Sequence, residues 1–268
     1  MAHVKESTHW YNQNGEPAYT VLGKNGEERA TTLRDAKKLN LVPSVTTILA
    51  SANKPALNGW KENQVLMSAL TLPLIAGETE SEWIARIKLD AKEHAKNAAL
   101  KGTEVHAWIQ GDFEGRFNLP LEAYGYGVIA RNEVLDKTGV SAKNWFCEKS
   151  FCKDGYGGKV DLHTPQYIID IKTKDSDLKD IKTYDEHAMQ LSAYRNGLDF
   201  PSAQCGILFI STLDKSAKLV MVEEKDLDKG FKMFIALKNY WYAKSGLKVD
   251  INAQKKGDKI EKAQKRTA

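Results

Sequence analysis

Only three cysteines occur in 268 residues. So small and odd a number cannot build a disulfide framework, and Cys147, Cys152 and Cys205 form no C-x-x-C pair. That argues against a structural zinc or an iron–sulfur cluster; three reduced thiols in or near a core are expected. No apolar run approaches the about 20 residues of a membrane helix. The longest, such as 206–210, has strand length. The first residues hold no apolar signal segment, so a cytoplasmic location without a membrane partner is expected. His3, His9, His94, His106, His163 and His187 show no H-E-x-x-H or comparable spacing, and no G-x-x-x-x-G-K-[ST] loop is present. Those absences count against a zinc hydrolase and a nucleotide-driven motor.

A strong net charge is also missing, since 39 Lys plus Arg stand against 35 Asp plus Glu. The segment 252–268 carries the whole excess of +4, with six basic and two acidic residues. Such a tail can hold a polyanion by counterion release, or can merely keep the chain in solution; both readings stay open.

What is present is ordinary globular composition, 42% hydrophobic and 28% charged, without repeats or low-complexity linkers. The first forty residues read as a turn-rich β segment, with hairpin signals at Asn14-Gly15 and Asn25-Gly26. Ser44 or Thr46 can cap a short helix. Apolar residues at three- and four-residue spacing predict a helix over 80–110, broken at Gly102, and another over 121–137 ending before Gly139. Strands follow over 145–151, 156–163 and 167–174, joined by turns at 153–155 and 164–166. A helix over 184–198, strands over 204–211 and 219–222, and a last helix over 226–244 complete the order. Tight turns make consecutive strands antiparallel, while the strand–helix–strand unit over 167–211 allows a parallel pair. The expected fold class is α/β, a mixed central sheet flanked by helices.

The chemistry concentrates in Gly157-Gly158-Lys159-Val160-Asp161 and Ile168-Ile169-Asp170-Ile171-Lys172. Alternation along a strand puts Asp170 and Lys172 on one face and Ile169 and Ile171 on the other. A hairpin brings Asp161 toward Asp170, and paired carboxylates are hard oxygen ligands suited to Mg2+ or Mn2+. A lysine beside them can orient a water or stabilise charge on a phosphate. An acidic-x-Lys triplet alone says little, since the chain has six of them, at Asp35, Asp90, Asp170, Asp177, Asp180 and Glu223. Only the one at Asp170 closes a buried-looking strand behind a Gly-Gly-x-x-Asp strand. A surface strand with an Asp–Lys pair worth about 0–1 kcal/mol would read the same. Two more elements bear on this: Gly102-Thr103-Glu104-Val105-His106 on a helix, and Gln190 and Tyr194, four apart on one helix face.

Taken in order, G-T-x-x-H, G-G-x-x-D, D-x-K and Q-x-x-x-Y resemble the PD-(D/E)XK nuclease superfamily, in its RecB-like exonuclease branch. The resemblance spans Gly102 to Tyr194, about a third of the chain. Pro43-Ser44-Val45-Thr46-Thr47-Ile48-Leu49 is similar to the start of phage-encoded members and of mitochondrial genome-maintenance exonucleases. One departure is that Asp161 is not preceded by proline. The resemblance implies a restriction-endonuclease-like core (αβββαβ). It assigns His106, Asp161, Asp170 and the Ile171 carbonyl to a divalent metal, Mg2+ with Mn2+ able to substitute. Lys172 would position the attacking water or stabilise developing charge, and Gln190 and Tyr194 would complete the site. Glu148 would bind a second metal or orient Lys172, unless it is a solvated strand carboxylate. The CRISPR-associated members add a four-cysteine iron–sulfur cluster, which three cysteines cannot supply.

The expected organisation is a DNA-engaging N-terminal β and helical region over 1–101, a nuclease core with its C-terminal helix over 102–251, and a basic tail over 252–268. The expected activity is metal-dependent exonuclease digestion of DNA from its ends, in phage or bacterial replication, recombination or repair. Alternatives are an endonuclease with the same site and a non-catalytic recombination accessory protein with the same fold. Partners would be linear DNA and, in such a setting, a recombinase or single-strand-binding protein; a phage-encoded enzyme would work in the host cytoplasm. Lys54, Trp60 and Lys61 are candidate DNA contacts, since an aromatic beside lysines can stack a base; a helix-packing tryptophan is the plainer reading of Trp60.

Overall fold

The computed structural model describes residues 9–250, so the expected basic tail over 252–268 lies outside the described residues. Short strands β1 (Trp10–Tyr11), β2 (Thr20–Leu22) and β3 (Glu28–Ala30) are followed by α1 (Leu33–Leu39), β4 (Val42–Pro43) and α2 (Val45–Leu49). Next come α3 (Pro55–Thr71), α4 (Glu80–Phe113) and α5 (Leu121–Thr138). The second half contains β5 (Phe146–Lys153), β6 (Tyr156–His163), β7 (Tyr167–Lys174), α6 (Asp185–Gly197), β8 (Gln204–Ser211), β9 (Ala217–Val222) and α7 (Glu224–Ser245). No helix among the described residues is long and apolar enough to cross a membrane.

A five-stranded mixed sheet organises these elements, in the order β5-β6-β7-β8-β9. All neighbours are antiparallel except β7 and β8, which run parallel with α6 as the crossover. Asp154 and Gly155 both take positive φ, 50° and 79°, in the two-residue turn between β5 and β6, as a type I′ hairpin requires. The next turn is held by Thr164 Oγ1, which accepts from the Gln166 and Tyr167 amides. Residues 205–211 of β8 are buried, because the parallel centre of the sheet is covered on both faces. On one face lie α4 and α5, through Val105, Ile109, Tyr126 and Val134 against Ile169, Ile171 and Leu208. On the other lie α2, α6 and α7, through Ile48, Leu191 and Phe234 against Ile168, Ile207 and Phe209.

The N-terminal region belongs to this packing. Ser44 caps α2, accepting from the Thr47 amide, and bridges to Gly157 of β6. Trp10 is 1% exposed and meets Trp241 of α7 edge-on.

The break expected at Gly102 is absent: α4 runs unbroken from Glu80 to Phe113, so the 101/102 boundary falls inside a helix. One glycine costs a helix only about 1 kcal/mol. A different constraint explains its presence, since a Cβ there would stand 2.9 Å from Thr173 Oγ1 of β7. Gly102 is thus a point of close helix–sheet approach.

Gly230 makes a tighter approach. A Cβ on it would lie 2.6 Å from the Ala188 carbonyl carbon and 2.9 Å from the Met189 amide nitrogen, and backbone cannot turn aside. Gly230→Ala is therefore expected to lose about 1–3 kcal/mol by prising α7 from α6, despite its better helix propensity. Gly125→Ala, whose Cβ meets nothing within 4 Å, should gain about 0.5–1 kcal/mol. Urea unfolding of the two variants checks the opposite signs.

Candidate active site

The site begins with an irregularity shared by two strands. Side chains alternate faces along a strand, yet Val160 packs toward α6 and Leu162, two residues on, toward α4 and α5. Phe151 and Cys147 change sides on β5 in the same way. The change falls at Glu148 and Asp161, which face each other between the pairs Cys147↔Leu162 and Lys149↔Val160. Glu148 is left-handed, φ 54°, a costly conformation for a non-glycine residue in mid-strand. At the same level β6 and β7 part, with pairing confined to Leu162↔Ile169 and His163↔Ile168. The Asp161 carboxylate fills the split, its Oδ2 accepting from the Ile171 amide at 2.7 Å. A side chain has replaced a ladder carbonyl.

Along β7 the alternation is regular. Ile169 and Ile171 face α4 and α5, while Asp170 turns to α6. Asp170 is 3% exposed. Its Oδ1 accepts from Gln190 Nε2 at 2.8 Å, and its Oδ2 stands 2.7 Å from Lys172 Nζ. Gln190 Nε2 also donates to the Tyr194 hydroxyl at 2.9 Å; the four-residue spacing on α6 aims both side chains at the sheet. His106 reaches the site from α4, with Nδ1 3.7 Å from Asp161 Oδ2.

Charge follows from this crowding. Burial pushes the Asp161 carboxyl well above the usual range, and the neighbouring Asp170 charge adds to it. Burial opposes the charge on Lys172, but Asp170 and Asp161 outweigh it and hold the ammonium protonated. Burial, then the Lys172 charge, draws His106 down to about 4. Burial, then both carboxylates, raises Tyr194 well above its ordinary value. At neutral pH the site presents a lysine cation beside Asp170, a neutral imidazole, a neutral phenol and an Asp161 carboxyl that largely keeps its proton.

Among the described residues no group of three or more His, Cys, Asp or Glu side chains converges to hold a metal. Asp170 is turned to Lys172 and Gln190 instead. The donor chemistry nevertheless suits a hard cation, because two adjacent carboxyl groups are oxygen ligands of the kind that Mg2+ uses, Asp161 giving up its proton on binding. Asp161 and Asp170 would hold it, with the Ile171 carbonyl and waters.

A stability prediction follows. A carboxyl whose folded pKa is raised keeps its proton after the unfolded chain has lost it, so stability falls as pH rises from about 4 toward the folded value. Without divalent cation, Asp161→Asn should therefore raise the unfolding temperature at pH 8 and leave it nearly unchanged at pH 4. Equal gains at both pH values would refute the electrostatic origin.

Other expected residues lie differently. Glu148 pairs with Lys159, so its ion partner is not Lys172. Lys54 is bound to Glu186 at 2.6 Å, at the start of α6. Trp60 and Lys61 lie on α3, where Trp60 is 38% exposed. None of the three cysteines is in a disulfide; Cys205 is buried and the other two are half-buried.

Several neighbours carry no local sequence signal. Tyr11 and Tyr19 join hydroxyls at 2.6 Å, and Tyr11 lies against β6, where a Cβ on Gly157 would meet its Cβ and Cγ at 2.6 and 2.5 Å. A Cβ on Gly158 would meet Phe151 and Tyr194 at 2.8 and 2.9 Å. The double glycine thus admits an N-terminal tyrosine at one position and the Tyr194 ring at the next. His187 and Lys174 also border the site, beside Lys172.

No protein-family model matches the chain, and no curated protein matches it. The chain is similar to a solved structure titled "Crystal structure of SSO0001", at 19% identity, over 43% of this chain and 58% of that one, with a TM-score of 0.24. The match thus spans little more than half of that protein's length.

Proposed function

We propose that this chain is a metal-dependent DNA exonuclease of the PD-(D/E)XK type, with a restriction-endonuclease-like core and a RecB-like arrangement of motifs. The observation that carries the reading is the split between β6 and β7, with the Asp161 carboxylate on the Ile171 amide beside the Asp170–Lys172 pair. A binding module has no evident use for a strand opened in order to bury two carboxylates next to a lysine. The order α4, α5, β5, β6, β7, α6, β8 also supports the core assignment.

A divalent cation held by Asp161 and Asp170 would supply Lewis-acid polarisation of the scissile phosphate and a more acidic water. The chain's own groups account for the rest. Lys172, kept protonated, is a donor and not a base, so its role is to stabilise the charge that grows on the phosphate oxygens. Gln190 fixes Asp170 by holding Oδ1 and is itself oriented by Tyr194. Neutral His106 stands beside Asp161 without adding a charge. Together with the cation these groups must lower a phosphodiester barrier by on the order of 20 kcal/mol.

The test is a time course on end-labelled linear DNA, single- and double-stranded, in Mg2+, Mn2+ and EDTA, beside a covalently closed circle. Metal-dependent loss of linear DNA with the circle intact is expected. Loss of the circle would make the enzyme an endonuclease. Binding without cleavage in either metal would make it a non-catalytic accessory protein.

A further inference from the structure

Beyond the D-x-K triplet, Lys174 is the next residue of β7 on the same face as Asp170 and Lys172. Alternate residues of a strand stand about 6.6–6.8 Å apart, and its backbone is anchored, the Lys174 carbonyl accepting from the Thr212 amide at 2.8 Å. The other cations bordering the site each have an acid: Lys172 has Asp170, Lys159 has Glu148 and Lys54 has Glu186. Lys174 has no ion-pair partner among the described residues, although it is half-buried. Glu186, the acid whose charge it feels, is committed to Lys54. His187, which faces the same cluster, stays neutral at physiological pH, drawn down to about 4 by burial and then by Lys172. Its Nδ1 accepts from the Tyr184 amide at 3.1 Å, so the ring proton is on Nε2. Burial, then Lys172, lowers the pKa of Lys174. A half-buried ammonium without a counterion is costly unless a ligand brings the anion.

We infer that Lys174 forms a second phosphate subsite, gripping the phosphodiester next to the scissile one, so that the site takes a polynucleotide strand and not an isolated phosphate ester. This rests on the nuclease reading. Lys172 would face the reacting phosphate, and Lys174, one alternate strand position along, its neighbour. The position after D-x-K-T is thereby given a binding role that the motif itself does not assign.

The experiment is a double-substitution cycle between protein and substrate. Oligonucleotides carry a single uncharged methylphosphonate linkage on either side of the cleaved bond, and are compared with the all-phosphate strand using wild type, Lys174→Met and Lys174→Arg. A charged hydrogen bond of this kind is worth on the order of 10- to 100-fold. Lys174→Met should lose that factor in kcat/KM, mainly through KM, while Lys174→Arg retains most of it. One flanking methylphosphonate should impose the same loss on wild type and none on Lys174→Met. Independent, additive losses, or no loss in Lys174→Met, would overturn the inference. The same cycle read as affinity in EDTA, by fluorescence anisotropy, separates it from the catalytic reading. A wild type that binds but never cuts overturns the nuclease and leaves the Lys174 cycle to be decided by affinity. A wild type that binds no strand overturns both.

Discussion

Lys172→Met is expected to reduce cleavage of linear DNA by at least on the order of 10²–10³-fold, the effect of removing one fixed donor from a transition-state oxyanion. It should also cost stability. Asp170 is almost fully buried and would lose its counter-charge, while a third of the Lys172 side chain is exposed. The expected loss is about 2–4 kcal/mol, below the range for a wholly buried pair. Adding Asp170→Asn should return most of that stability, since no buried charge is then orphaned. The asparagine oxygen can still accept from Gln190, which holds Oδ1 at 2.8 Å. Activity should not return with it. Urea unfolding and a cleavage time course on the two single variants and the double variant separate the roles. A double variant that cuts DNA normally would remove the pair from the chemistry; one no steadier than Lys172→Met would show that the pair is not electrostatically coupled.

Phe151→Ala is expected to lose about 3–5 kcal/mol, as large-to-small changes of buried aromatics do. Phe151 is 6% exposed and lies in a slot between two glycines. A Cβ on Gly197 of α6 would stand 2.1 Å from its ring, and one on Gly158 of β6 would stand 2.8 Å away. The ring meets Tyr194 and Tyr156 edge-on, with centroids 6.0 and 5.9 Å apart. Its loss therefore removes a wall behind Tyr194, and cleavage should fall by more than the unfolded fraction explains. The reverse experiment fills the slot. Gly197→Ala alone should cost about 1–3 kcal/mol by overpacking, and Phe151→Leu should relieve part of that cost. The combined variant is then more stable than the sum of its parts predicts. Strict additivity would mean that the ring and the glycine do not share the slot.

Strands 156–163, 167–174 and 204–211 lie where the sequence places them. Turn chemistry at Asp154-Gly155 and at Thr164 is local, and so is the alternation of β7. The last two helices and β9 differ from expectation by one or two residues at their ends. The short α1 and the long α3 were not legible. Among the residues of α3, only Ser68 is buried, so there is little apolar periodicity to read. Gly102 was legible as a glycine but not as a contact, because the atom that requires it, Thr173 Oγ1, is on another element.

The same division runs through the site. Asp170 and Lys172 share a face by strand geometry, and Gln190 and Tyr194 by helix geometry, so both pairs can be read along the chain. Packing between elements settled what joins them. It inverted the pleat at Glu148 and Asp161, opened β6 from β7, set Asp161 on the Ile171 amide and directed Glu148 to Lys159. It also brought Tyr11 from the N-terminal segment onto Gly157 and left Lys174 without an acid while its neighbours are paired. The physical reason is range. Backbone periodicity acts over a few residues and can be read along the chain. The partner of a buried carboxyl, or of a ring against a glycine, is chosen by packing between elements, ten residues apart for Asp161 and Ile171 and well over a hundred for Tyr11 and Gly157.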